Sequence, residues 1–224
     1  MEVHFSPEIL AAAPGFKVII LEAAVENGPT SDKLWALITD LEKRIQASTP
    51  IELVRHRPAI DATRNTYKRL GKDPNRYRPS AEALTRRAVQ GKGLYRTLTV
   101  IDLINYLSLL TGHSIGAFDA DKVEGNTITL GVGQTDEPYE AIGRGQLNIA
   151  GLPVYRDAIG GIGTPTSDNE RTQLSPDTRR LLVTFNIYGD DPEYAHPNQL
   201  VSLMENLLRE YAAATDIRST IIKP

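Results

Sequence analysis

The fold class can be predicted from residues 99–132, TVIDLINYLSLLTGHSIGAFDADKVEGNTITLGV. In the first half, apolar side chains recur at positions 100, 103, 104, 107 and 110 and the pattern stops at Gly112, as in a buried helix. From residue 127 onward the period changes to two, which is typical of a strand with one buried face. The chain therefore passes here from a helical part to a sheet.

The same division holds on both sides of this segment. On the N-terminal side, residues 16–25 predict a buried strand, and helices are predicted after Thr30, Ser31 or Asp32, over residues 62–71, and from Ser80 as N-cap to Gly91. On the C-terminal side, short strands are predicted at 127–132, 139–143, 146–150, 153–157 and 181–189, followed by an amphipathic helix at 198–214. Helices and strands that are segregated along the chain favour the α+β class.

Length and composition are those of a soluble globular protein. We expect one domain over residues 1–224, in which an interruption near residues 48–58 separates flanking elements at 1–50 and 197–215 from a core at 55–190. The absence of cysteine excludes disulfides and thiolate sites, and the four scattered histidines exclude a zinc pattern, so no metal and no cofactor is expected. No signal peptide and no run of eighteen apolar residues is present, which predicts a cytoplasmic protein without membrane contact.

Charge is distributed unevenly along the chain. Residues 55–96 contain twelve Arg or Lys residues and three acids, a net charge of +9, whereas the remainder carries −12. Such an asymmetry indicates an anionic partner such as nucleic acid. A solvated surface and internal ion pairs with the acidic remainder are the alternatives.

Residues 156–172, RDAIGGIGTPTSDNERT, concentrate glycines, hydroxyls and charges directly after a predicted strand. Glycines let main-chain N–H groups approach a ligand, and a carboxylate can orient a water or bind an amine. The segment matches neither of the glycine-rich nucleotide-binding patterns. Its alternative interpretation is a long surface loop.

A second cluster lies in residues 112–125. Asp119 with Asp121, or Asp119 with Asp157, is a candidate carboxylate pair for acid–base chemistry or hard metal binding. His113 is a candidate general base, with an ordinary polar loop residue as the alternative.

Three segments in order resemble one known family. Residues 100–125 resemble the pattern VDITNYVMLELGQPLHAFD of the B3/B4 editing domain of the phenylalanyl-tRNA synthetase beta subunit. Residues 157–172 look like its glycine-rich AGVMGG-x-x-S-x-V-x-x-x-T loop, and residues 69–87 are similar to stand-alone members. The residues shared with the first pattern are Asp102, Asn105, Tyr106, Gly112, Ala117, Phe118 and Asp119.

The resemblance covers about residues 57–190, which it marks as the core of the domain. It implies two packed, mixed or antiparallel β-sheets with flanking helices, and a domain that hydrolyses tyrosine mischarged onto phenylalanine tRNA. This chain lacks the synthetase catalytic domains, so ligase activity is not expected. It departs from the pattern at two positions: the family's histidine is Gly116, and the glutamate after the glycine loop falls near Val183 or Thr184.

Two functions follow from these observations. The first is a stand-alone protein that binds tRNA or aminoacyl-tRNA and hydrolyses mischarged species in trans; the second is a non-catalytic module that binds RNA or an amino-acid-like molecule. Asp168 and Asp157 are the candidate catalytic residues. The candidate substrate-binding residues, with Gly161 and Gly163 as N–H donors, are Asn105, Gly116, Phe118, Asp119, Gly161, Gly163, Thr164, Thr166, Ser167 and Arg171. The candidate phosphate-binding residues are Lys68, Lys72, Arg76, Arg78, Arg86 and Arg87.

Overall fold

A computed structural model describes residues 1–189, 191–194 and 196–223. The helices are α1 (Pro7–Ala12), α2 (Asp32–Ser48), α3 (Pro58–Arg69), α4 (Ser80–Val89), α5 (Thr99–Thr111) and α6 (Pro197–Ala212). The strands are β1 (Glu2–Phe5), β2 (Lys17–Ala24), β3 (Ile115–Asp119), β4 (Thr127–Val132), β5 (Glu140–Ala141), β6 (Gly145–Gln146), β7 (Pro153–Arg156), β8 (Gly161–Gly163), β9 (Arg180–Ile187) and β10 (Thr215–Ile222).

The strands form two four-stranded sheets and one short hairpin. The first sheet has the order β1-β4-β7-β8, in which β1 and β4 are parallel and the other pairs antiparallel. The second has the order β10-β2-β9-β3 and is antiparallel throughout. Strands β5 and β6 make the separate hairpin. The predicted α+β fold with two packed, mixed or antiparallel sheets and flanking helices is confirmed.

Alternate residues of β2 show how the layers are arranged. Val18 and Ile20 are buried with Leu130 and Tyr155, which belong to the first sheet, so the two sheets pack face to face. Ile19 and Leu21 are buried on the other side of the strand in a core that contains side chains of α2, α5 and α6. A strand buried on both faces is continuously apolar, which is why residues 18–21 contain no polar side chain.

The ends of α2 and α5 follow from local sequence. The hydroxyl of Ser31 accepts a hydrogen bond from the N–H of Leu34 and caps α2, as predicted. Gly112 ends α5 in the left-handed conformation, with φ of 77°, which a residue with a Cβ rarely adopts. Within the described ranges, no helix has both the length and the apolar character needed to cross a bilayer.

The sequence prediction was wrong at several boundaries. Pro79, not Ser80, is the N-cap of α4; Ser80 is the first helical residue, and its N–H donates to the carbonyl of Pro165. Where strands were predicted at 139–143 and 146–150, the structure has only the two-residue strands β5 (Glu140–Ala141) and β6 (Gly145–Gln146). Strands β1, β3, β8 and β10 were not predicted. Strands β3 and β8 are short and contain glycine, and β1 and β10 are edge strands without a buried residue.

Candidate functional site

A cavity of about 210 Å³ opens between α4, α5, strand β3 and the segment 164–174. It is smaller than the sites of about 300–1,000 Å³ that hold drug-sized ligands, and its lining is mainly apolar. The lining residues are Ser80, Leu84, Ile101, Ile104, Asn105, Ser108, Ile115, Ala117, Ile142, Thr164, Ser167, Asp168, Gln173 and Leu174. A concave apolar site with a few convergent polar groups is the usual form of a small-molecule binding site.

The turn that precedes Asp168 is held by Thr164. The Thr164 hydroxyl donates to the carbonyl of Ser167 and accepts from the N–H groups of Thr166 and Ser167. Tyr139 donates its hydroxyl to the same Ser167 carbonyl at 2.9 Å. Asp168 is therefore presented to the cavity by a turn that side chains fix from two directions.

The Asp168 carboxyl group has few interactions that favour its ionised form. Its Oδ2 accepts a hydrogen bond from the N–H of Ala117 at 3.2 Å, and no ion pair to it forms among the described residues. Removal from water raises the pKa of Asp168 to about 7, and the Ala117 hydrogen bond opposes this shift. An acid that titrates near neutral pH in a pocket is suited to take up and release a proton.

Gly163 creates the space that Asp168 occupies. A Cβ added at Gly163 would lie 2.5 Å from the Phe118 ring and 2.9 Å from Oδ1 of Asp168. No side chain larger than hydrogen fits between the ring and the carboxyl group. The role of this glycine is thus close packing behind the pocket.

Comparison with known proteins places the chain in a family. The model of the B3/4 domain matches residues 62–191, more than half of the chain. The chain belongs to the B3/4 domain family. No curated protein sequence matches it.

A solved structure is similar to this B3/4 protein over its whole length. It is the crystal structure of an N-terminal fragment of the phenylalanyl-tRNA synthetase beta-subunit from Pyrococcus horikoshii, with 12% sequence identity and a TM-score of 0.49. The alignment covers 100% of this chain and 54% of that fragment, so the chain spans about half of the fragment's length.

The B3/4 pocket contains four of the residues singled out in the sequence. Asn105 reaches it from α5, and Thr164, Ser167 and Asp168 reach it from the turn after β8. These residues come from segments about sixty positions apart, and the pairing of β3 with β9 together with the Ala117–Asp168 hydrogen bond brings them together.

Several other predicted contacts are wrong because strand alternation turns them away from the pocket. Ile115 and Ala117 of β3 line the cavity, whereas Phe118 is buried between the two sheets. Gly116 faces the same side as Phe118, since a Cβ there would lie 2.7 Å from Oγ1 of Thr184. Gly161 packs against the Tyr139 ring, and both Gly161 and Gly163 pair with β7 instead of forming a free loop with available N–H groups.

The remaining predicted polar residues have structural partners elsewhere. Asp157 forms a bidentate ion pair with Arg171. Burial alone would raise the pKa of Asp157, but the hydrogen bonds from Arg171 outweigh this effect and the pKa lies below the usual value. Asp119 accepts a hydrogen bond from Thr178, and Asp121 pairs with Arg180, so the expected carboxylate pairs do not form. The Thr166 hydroxyl lies 3.0 Å from the Tyr67 hydroxyl, within the core.

His113 is not a general base for this pocket. It is 1% exposed, its ring lies 5.3 Å from that of Phe185, and it does not line the cavity. Burial lowers its pKa to about 4, so the ring is neutral at pH 7. Among the described residues, no cluster of three or more His, Asp or Glu side chains is arranged to hold a metal ion.

The basic segment is divided between internal and exposed cations. Lys72 is buried and donates to the carbonyls of Asn148 and Ala150, which contradicts its assignment to phosphate binding. Arg86 donates to Glu82, and Arg87 donates to the carbonyl of Gly93.

Three of the predicted phosphate-binding cations are exposed. Lys68, Arg76 and Arg78 lie at the surface, although Arg78 also lies 3.6 Å from Glu82. Arg76 and Arg78 are on the linker that ends at Ser80, a residue of the pocket lining. The exposed positive charge therefore lies next to the pocket in sequence.

Most residues of the pocket wall could not be recognised as such from the sequence. Leu84, Ile101, Ile104 and Ser108 were interpreted as helix positions, and only the packing of α4 against α5 shows that they border a cavity. Asn105 and Ser108 are polar residues three positions apart in an apolar helix, so they lie on the same face. This spacing could have indicated Ser108 as a residue of the pocket.

Proposed function

We propose that this B3/4 protein binds the aminoacyl group of an aminoacyl-tRNA in the pocket beside Asp168 and hydrolyses the ester in trans. The observation that carries the proposal is a carboxyl group with a pKa of about 7 at the wall of an apolar pocket of amino-acid size. The resemblance of residues 100–125 and 157–172 to the editing domain motifs supports the same substrate.

Ester hydrolysis requires few groups. The Asp168 carboxylate takes a proton from a water molecule as the water oxygen adds to the ester carbonyl carbon. The bond from this carbon to the ribose oxygen then breaks, and the proton passes to the departing oxygen, which leaves free amino acid and tRNA. Each turnover therefore starts from ionised Asp168, which holds the proton of the water between the two steps and returns it to the ribose oxygen in the second.

Exposed arginines next to the pocket support binding of the tRNA end. Arg76 and Arg78 precede Ser80, which lines the pocket, so phosphates bound at the linker would lie near an aminoacyl group bound at Asp168. Buried Arg64 donates to the carbonyl of Pro74 and to the side chain of Asn75, which fixes the linker. Lys68, which is exposed, is a further candidate for phosphate contact.

The alternative is a non-catalytic module that binds an amino-acid-like molecule. Two observations favour it. The family's histidine is Gly116 here, at a buried position that faces Phe118, and much of the positive charge of the basic segment is bound internally.

The test is deacylation of a panel of correctly and incorrectly charged tRNAs at low salt, with wild type and Asp168→Asn side by side. We expect wild type to hydrolyse at least one charged tRNA. In Asp168→Asn the rate of this hydrolysis should fall by about 100-fold or more, which is the usual contribution of a general base. If no species is hydrolysed but a free amino acid binds, the binding module is the correct function.

A further inference from the structure

The side chain of Ser108 lines the pocket, and its hydroxyl group has no hydrogen-bond partner among the described residues. Ser108 is 2% exposed, and its side chain forms no hydrogen bond within the described part of the chain. Thr111, one turn further along α5, donates its hydroxyl to the carbonyl of Leu107 at 2.7 Å. Buried hydroxyls are normally satisfied in this way, whereas the Ser108 hydroxyl is open to the cavity and available to a polar group of a ligand.

The exposure of the lining residues shows which part of the pocket contains Ser108. Ile104 and Ile115 are nearly as buried as Ser108, whereas Ile142 is 40% exposed and Asp168 is partly exposed. Asp168 therefore lies nearer the opening and Ser108 in the enclosed part. A ligand whose amine or ester lies near Asp168 directs its side chain toward Ser108.

The walls around Ser108 determine the kind of side chain that fits. Leu84, Ile101, Ile104, Ile115 and Leu174 are aliphatic, and none of the lining residues is aromatic. A cavity of about 210 Å³ holds one amino-acid side chain, and its aliphatic walls favour an aliphatic side chain over an aromatic one.

We infer that Ser108 is a specificity-determining residue that hydrogen-bonds a hydroxyl group on a short aliphatic side chain of the aminoacyl ligand. The inference rests on the proposed function, since it takes an amino-acid moiety as the ligand. It names the substrate class as a β-hydroxy aliphatic amino acid of the size of threonine, in preference to the isosteric valine. A site built to hydrogen-bond a hydroxyl rejects the analogue without it, because a polar group is then left buried and unpaired.

The experiment compares threonyl and valyl esters of the same tRNA in wild type, Ser108→Ala and Thr111→Val. Wild type is expected to hydrolyse the threonyl ester at least about ten-fold faster in kcat/KM. In Ser108→Ala the threonyl and valyl rates should converge to within about two-fold, because the threonyl ester loses its hydrogen bond and the valyl ester no longer leaves the Ser108 hydroxyl unpaired. Thr111→Val removes a buried hydroxyl of the same helix outside the pocket and should keep the preference.

Other outcomes overturn the inference. Equal threonyl and valyl rates in wild type, an equal loss for both esters in Ser108→Ala, or faster hydrolysis of tyrosyl and phenylalanyl esters would each contradict it. If no ester is hydrolysed, the catalytic proposal fails, and calorimetry with free threonine and free valine decides the inference separately. Tighter binding of threonine that Ser108→Ala abolishes supports it, and no binding or equal binding overturns it.

Discussion

The main-chain N–H of Ala117 donates to Oδ2 of Asp168 at 3.2 Å, and this hydrogen bond joins the edge strand β3 to the turn after β8. Ala117 pairs with Val183 in the second sheet, whereas the turn follows the last strand of the first sheet. The contact therefore ties the two sheets together at the pocket. It also leaves Oδ1 free of intramolecular donors among the described residues, so this oxygen is available to a ligand or a water.

Asp168 should make stability depend on pH in an unusual direction. Its pKa is raised to about 7 in the folded state, so the unfolded chain, with an ordinary pKa near 3.8, releases the proton first. The free energy of unfolding therefore decreases as pH rises from about 4 to about 7. The decrease is at most about 4 kcal/mol, since each pKa unit corresponds to about 1.36 kcal/mol. Urea unfolding of wild type and Asp168→Asn across this range should show the variant gaining relative stability with pH. A difference between the two proteins that does not change with pH would contradict the assignment.

Ester hydrolysis should follow the ionisation of the same group. The rate of deacylation under single-turnover conditions is expected to rise with pH and level off above an apparent pKa near 7, because the carboxylate is the base. Asp168→Asn should lack this rise. A wild-type profile that is flat between pH 5.5 and 8 would show that another group, or none, removes the proton.

Gly163→Ala tests the close packing behind the pocket. The added Cβ would meet the Phe118 ring at 2.5 Å and Oδ1 of Asp168 at 2.9 Å, so we expect a loss of about 1–3 kcal/mol in unfolding free energy and impaired deacylation. Gly160→Ala is the matched control, since nothing lies within 4 Å of its added Cβ. Equal behaviour of the two variants in urea unfolding and activity assays would refute the packing role.

Glu82 should be essential for stability. It is 0% exposed, accepts from buried Arg64 at 2.7 Å and from Arg86 at 2.8 Å, and lies 3.6 Å from Arg78. Glu82→Gln leaves the Arg64 charge without a carboxylate partner and should destabilise the protein by about 3–5 kcal/mol. Asp40→Asn, which removes an exposed pair with Arg44, should change stability by less than about 1 kcal/mol in the same denaturation assay. A small effect of Glu82→Gln would mean that water or other groups satisfy Arg64.

Arg76→Ala tests the contact with tRNA. If Arg76 binds a phosphate, the slope of the logarithm of tRNA affinity against the logarithm of salt concentration should become shallower by about 0.7–0.9. Arg180→Ala removes an exposed cation outside the basic segment and should leave the slope unchanged. Identical slopes for wild type and Arg76→Ala would exclude a phosphate contact at this residue.

The elements with strong periodicity could be predicted from the sequence, and those defined by pairing could not. The apolar repeat of α5 and the continuous apolar run of β2 specify their type locally. Strand β3 has five residues, one of them a glycine, and β8 has three, two of them glycines, so each is recognisable only through its partner strand.

The site shows the same limit. Asp168 could be identified as a polar residue in a glycine-rich segment, but its raised pKa results from burial, which depends on the tertiary structure. Phe118 and Gly116 were assigned to the pocket because they belong to a motif. The pleat of β3 places them on the opposite face from Ala117, and motif membership carries no information about which face a residue occupies.

The most direct test of the central claim is a crystal structure with a 3′-aminoacylamino-3′-deoxyadenosine, an amide analogue of the tRNA end that cannot be hydrolysed as an ester. We expect the aminoacyl group to lie in the pocket between α4 and α5, with its amine, or a water next to its carbonyl, within hydrogen-bond distance of the Asp168 carboxyl group. An analogue bound elsewhere on the protein, or an empty pocket at a saturating concentration of the analogue, would contradict the proposed function.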